Sequence, residues 1–148
     1  MTPGEVDRNG LEVLARAECL RLLEQATLGR VAVSVGALPA VLPVNYRLVE
    51  DRIVFRTSDG SKLDAATRNA VVAFEVDEME PIGHTGWSVM VTGLTREVTD
   101  ASELEALELA NIPRWAPVGG ERIVEISTDM ISGRRIGHAR PPERRGAP

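Results

Sequence analysis

The segment FRTSDGSKLDAATRN, residues 55 to 69, holds the parts of an anion site. Arg56, Thr57 and Ser58 end a strand-like run, Asp59-Gly60 turns the chain, and Ser61 stands where it can cap a following helix. Lys62 opens that helix and is the one lysine of the chain, against sixteen arginines. Free N–H groups and the dipole at a helix start favour a negative group, and charge-assisted hydrogen bonds from Arg56 and Lys62 suit a terminal phosphate. A solvated strand-to-helix turn explains the same residues without a ligand. A nucleoside-triphosphatase loop is a poor match, because Phe55 stands where its first glycine belongs.

Other chemistry is sparse. His84 and His138 are the only histidines and share no metal-ligand spacing with each other or with Cys19, so no metal site is expected. Cys19 falls on the apolar face of a helical pattern with no base beside it, which suits a buried structural thiol. No Gly-x-Ser-x-Gly elbow is present. Glu78 and Glu80 lie in a polar stretch and read as solvated charges. No side chain is nominated as a catalytic acid, base or nucleophile, so an enzyme built on this chain needs a cofactor for its reactivity.

The elements that must position the turn follow from periodicity. Residues 15 to 26 place Cys19, Leu20, Leu22, Leu23 and Ala26 on one helical face, and Gly29 offers a stop. RVAVSV alternates as a strand, and AVLPVNYRLV makes a second in which Pro43 signals a bulge or an edge. Glu50-Asp51 turns into RIVFRTS. A short helix over residues 60 to 69 turns Leu63, Ala66 and Thr67 inward. VVAFEVD is the fourth strand, EMEPIGHTG a loop, and WSVMVTGLTREVTD one strand bent at Gly93. A helix follows from Asp100 to Asn111, capped by Asp100 or Ser102. ERIVEIST and the shorter MISGRRIG complete the strands.

Hairpin spacing with brief helical inserts predicts a mainly β domain over residues 11–137, six antiparallel strands forming a closed barrel or a sandwich. Residues 1–10 are expected to be flexible and the Arg- and Pro-rich residues 138–148 disordered. The 148 residues suit one domain, and the net charge of −5 argues against nucleic acid as a partner. No apolar run is long enough to span a bilayer, no leader pattern is visible, and the single cysteine fits a reducing cytoplasm.

With the parts in this order, LPAVLPVNYRLVEDRIVFRTSDGSKLDAATRNAVVAFEVDE followed by GWSVMVTGLTREVTD resembles the pyridoxamine 5′-phosphate oxidase-like flavin proteins. It is most similar to their small nitroimidazole-resistance-type and actinobacterial members, from about Glu18 to Ile136. The resemblance implies an FMN-binding split β-barrel and a homodimer with the flavin at the subunit interface. It implies hydride transfer to or from a small-molecule substrate. It places Val41, Leu42, Pro43, Val44, Asn45 and Tyr46 beside the flavin ring and ribityl chain. It also places Arg56, Thr57, Ser58, Ser61 and Lys62 at its phosphate end, Trp87 and Ser88 on a strand approaching it, and Arg134 within reach of the partner subunit's cofactor. Two departures stand out: Leu63 follows Lys62 where the oxidase proper has consecutive basic residues, and the segment after Asp100 is acidic, with Glu103, Glu105 and Glu108. Pyridoxamine phosphate is therefore not expected as the substrate. A deazaflavin-dependent oxidoreductase on the same fold, or a non-catalytic module holding flavin, haem or lipid, are the alternative readings.

Overall fold

A computed structural model describes residues 2–114 and 121–137 of the chain; the 138–148 segment lies outside the described residues. The elements run β1 (Glu12–Val13), α1 (Arg16–Gln25), β2 (Leu28–Val35), β3 (Leu38–Val49), β4 (Arg52–Ser58), α2 (Lys62–Ala66), β5 (Val71–Glu80), β6 (Thr85–Glu97), α3 (Ala101–Leu109), β7 (Glu121–Ile126) and β8 (Met130–Ile136). All pairings are antiparallel. The sheet order is β1-β8-β6-β5-β2-β3-β4-β7, and β6 also pairs with β7, so β2, β3, β4, β7, β6 and β5 close a six-stranded barrel. The expected barrel is thus present, with β8 and β1 added outside β6.

Period-2 alternation fills it. Val31 and Val33, Val44 and Tyr46, Val72, Phe74 and Val76, and Val89 and Val91 point inward and are buried. α1 lays Cys19, Leu22 and Leu23 on this core, the face its spacing predicts. A second, smaller cluster of Val54, Val98, Leu107, Ile112 and Ile123 packs on the outside of β4 with α3. Asp100 caps α3, accepting from Glu103 N–H at 3.0 Å. The N-terminal residues fold back on β1: Gly4 N–H donates to Val13 O and Val13 N–H to Glu5 O, both at 2.8 Å.

Three expectations change. Gly29 does not end α1; it lies in β2, and a side chain there would run into the Phe74 ring. The loop expected over 78–86 is mostly ladder, because β5 and β6 stay paired out to Glu80↔Thr85. The helix after Gly60 has five residues, not ten. At Gly93, where a bend is expected, β6 passes from β8 to β7, and a Cβ would meet the Ser127 carbonyl.

The barrel is incomplete along one seam. β3 and β4 pair only from Tyr46↔Phe55 to Val49↔Arg52. Beyond that point β3 stays with β2 to Val35↔Leu38, and β4 stays with β7 to Ser58↔Glu121. Tyr46 N–H donates to Thr27 O at 3.1 Å, which sets the alternation along β3. Even-numbered amides face β2, and the backbone groups of Pro39, Val41, Pro43 and Asn45 face the seam. Pro43 sits mid-strand without cost because its missing N–H belongs to an open edge.

Tyr46 pins the closed end of the seam. It is fully buried, its ring stands edge-on to Phe74 with centroids 4.9 Å apart, and its hydroxyl donates to Leu23 O at 2.5 Å. Burial raises the phenol pKa well above its ordinary value. Tyr46→Phe removes that donor and leaves a buried carbonyl unpaired, so it should lower unfolding free energy by about 1–3 kcal/mol. Urea denaturation of both proteins measures this, and the barrel's far-ultraviolet circular dichroism should stay unchanged.

Candidate functional site

At the open end of the seam the chain turns from β4 into α2 around one carboxylate. Asp64 is buried, and its oxygens accept from Gly60 N–H at 3.0 Å and from the Thr57 hydroxyl at 3.1 Å. Arg68 donates to it at 3.0 Å, and Arg122 stands 3.6 Å away. Burial by itself pushes this carboxyl up. The Gly60 N–H, Arg68 and Thr57 hydrogen bonds and the Arg122 charge outweigh that and hold it below the usual carboxylate range. Ser61 Oγ accepts from Asp64 N–H at 3.0 Å, as an N-cap should. The turn is therefore built from within, and Lys62 is exposed at its rim. Lys62 and Leu63 are first-turn positions whose N–H groups have no acceptor inside the helix.

The residues expected at a cofactor divide into groups. Ser58, Ser61, Lys62 and the seam-facing backbone of Val41, Pro43 and Asn45 lie on or beside the seam. Leu42 faces inward half-buried, and Val44 and Tyr46 are buried barrel core, so their side chains do not reach it. The Thr57 hydroxyl is taken by Asp64. Arg56 turns outward instead of joining Lys62: its Nε donates to Ile112 O at 3.2 Å, and its guanidinium lies 3.3 Å from Glu108 and 3.6 Å from Glu121. A third group is remote. Ser88 pairs in register with Asp77 and Arg134 on the outer face of the sheet, and β6 is three strand spacings from β3, roughly 14 Å. Arg134 Nε donates to Asp7 at 3.0 Å, which ties β8 to the N-terminal hairpin. Trp87 is half-buried, packs on the core and borders a cavity of about 460 Å³ with Met79 and Ile136.

Between the two ends of this face lie residues that, Val41 and Pro43 apart, the sequence does not single out. One row across five strands, Met130, Thr92, Ala73, Ala32 and Val41, carries no charge. The next row, Ser132, Met90, Glu75, Arg30 and Pro43, centres on an ion cluster: Arg30 lies 3.4 Å from both Glu75 and Asp77. Glu75 and Asp77 share a face by the two-residue period of β5, and register with β2 brings Arg30 to them. Asp64 left one local sign, the Ser-x-x-acid pattern of a capping box.

Burial first, and then the Asp77 carboxylate, push Glu75 up to about 7 against the pull of Arg30. A carboxyl with a raised pKa holds its proton more tightly when folded. The stability it lends is complete below its ordinary value of 4.5 and is lost as pH rises through about 7. Glu75→Gln keeps the neutral form at every pH. Its melting temperature relative to the parent should therefore rise between pH 4.5 and pH 8, measured by calorimetry at fixed ionic strength; a flat difference would mean Glu75 titrates normally.

Comparison with known proteins places this arrangement. The family model described as pyridoxamine 5′-phosphate oxidase matches residues 15–135. The Mycobacterium tuberculosis protein Rv0080 is 38% identical over 128 residues, 83% of this chain and 84% of its own. A solved FAD binding protein from Mycobacterium smegmatis superimposes with a TM-score of 0.75 at 32% identity, covering 84% of this chain and 99% of that one. A FAD-binding protein from Mesorhizobium loti shares the fold, with a TM-score of 0.72 at 23% identity over 86% and 99% of the two chains. The seam, the strand order and a match of this length lead to one assignment: the chain belongs to the pyridoxamine 5′-phosphate oxidase family.

Proposed function

We propose that this chain is a flavin-dependent oxidoreductase that works as a homodimer, with FMN or a larger flavin seated along the β3–β4 seam. The observation that carries the reading is the seam itself. A flavin ring has a polar edge of hydrogen-bonding groups, and the seam offers backbone N–H and C=O groups from Val41 and Asn45 and the C=O of Pro43. The Ser58–Lys62 turn stands at the end of the same strand gap and suits the phosphate. The M. smegmatis protein described as FAD binding supports a flavin.

A bound flavin supplies the two-electron chemistry, transferring hydride to or from a small-molecule substrate. The chain's own residues do the rest. Lys62 and the Ser61 and Ser58 hydroxyls hold the phosphate. Asp64 fixes the turn before the ligand arrives, so little ordering is left for binding to drive. The buried Tyr46 closes the seam on the barrel side and keeps water out of the core.

Position supports a second copy. Ser88 and Arg134 lie too far from the seam within one chain to join it. Val71, Leu94 and Met130, exposed at 70%, 56% and 68%, leave apolar side chains uncovered on the same outer face. A twofold partner seated there would carry its Ser88 and Arg134 toward this chain's seam.

Lys62→Ala tests the phosphate end. It removes one charge-assisted contact, worth about 1.5–3 kcal/mol, and should weaken FMN about ten- to a hundredfold. Riboflavin, which has no phosphate, should bind parent and variant alike. Fluorescence titration with both ligands checks this; unchanged FMN affinity would make the turn a structural corner only.

A further inference from the structure

A charged cavity lies outside the seam, on the outer side of β3 and β4. It holds about 430 Å³ between Arg47, Arg56, Glu108, Asn111 and Arg114. Its three arginines come from three places in the chain: β3, β4 and the residues after α3. The acidic run on α3 contributes one carboxylate here, Glu108, which is half-exposed and shared. It lies 3.3 Å from the Arg56 guanidinium and 3.1 Å from that of Arg114. Arg47 donates to the Tyr46 carbonyl at 3.1 Å. With Glu121, 3.6 Å from Arg56, three guanidinium groups face two carboxylates.

We propose that this cavity binds a compact anion, a phosphate or a carboxylate, and that Glu108 holds the site as an internal stand-in for it. Convergent guanidinium groups match the oxygens of either anion by paired hydrogen bonds. Glu108 is a weak competitor: its side chain and that of Arg114 are both more than half exposed, so their pair contributes little, and the buried Arg56 keeps Glu121 and the Ile112 carbonyl as partners when Glu108 leaves. An arriving anion displaces the carboxylate into water at small cost. Arg56 stands on β4 just past the last β3–β4 pair, and Arg47 stands on β3 just before it, so the cavity begins where the seam begins. An anion held there lays the rest of its molecule beside the seam. The site thus anchors the negative end of the substrate, a role that rests on the flavin reading, whereas anion binding itself does not.

The test is calorimetric titration at low ionic strength, in a Lys62→Ala background so that the α2 turn contributes nothing. Inorganic phosphate and citrate are the probes. Arg47→Ala and Arg114→Ala should each weaken binding about tenfold or more. Glu108→Gln, which removes the competitor but keeps its shape, should tighten binding about threefold. Tighter binding of phosphate assigns a phosphate and tighter binding of citrate a carboxylate, and either supports the site. No binding of either probe, no loss on removing the arginines, or no gain in Glu108→Gln overturns it. Loss of flavin binding elsewhere in the chain leaves these results unchanged, so the two readings fail separately.

Discussion

The separation of β3 from β4 after Tyr46 and Phe55 is the constraint on which the rest of the molecule depends. Each strand has a stronger claim on its other edge. β3 pairs with β2 over eight residues and β4 with β7 over six. A barrel closed on both sides of every strand would bury all of its backbone polar groups against each other. Here one stretch of β3, with prolines at 39 and 43, keeps an edge that no strand among the described residues fills. Exposed edges invite pairing with other chains. Proline at two seam-facing positions removes donors from this one, so another strand cannot add to it in full register.

Two buried polar groups stand at the two ends of the gap. At one end the Tyr46 hydroxyl is tied to α1 through Leu23 O. At the other the Asp64 carboxylate collects Thr57, Gly60, Arg68 and Arg122. The second is the costlier arrangement, because a charge taken out of water must be compensated by several partners. Its return is a turn whose geometry does not wait for a ligand. The same charge logic appears in weaker form at Arg30, Glu75 and Asp77, where compensation is incomplete and the carboxyl titrates late.

What the sequence made legible was local. Alternation of valines located the strands, the i, i+3, i+4 spacing of Cys19, Leu22 and Leu23 located the α1 face, and Pro43 marked a bulge or an edge, of which the structure shows the edge. What it hid was long-range. Gly29 is a glycine because Phe74, forty-five residues away, needs its space, and no rule about helix ends contains that fact. The ladder beyond Asp77 runs through Glu78 and Glu80, which propensity gives to a loop; pairing with residues 85–87 overrides it. Arg56 reads as a phosphate ligand beside Thr57, but the strand's pleat aims it at Ile112, Glu108 and Glu121. The order of parts, by contrast, survived all of this, and it carried the family where single residues did not.

Within one chain Ser88 stays three strand spacings from β3 and Arg134 four, so the proposed site depends on a second copy to complete it. Sedimentation of the purified protein, followed at a visible wavelength absorbed by oxidised flavin, tests this most directly. The account predicts that the colour moves with a species of twice the 16.0 kDa chain mass, with one flavin per chain. Colour moving with a 16.0 kDa monomer, or a dimer that takes up no flavin when FMN or FAD is added, would contradict it.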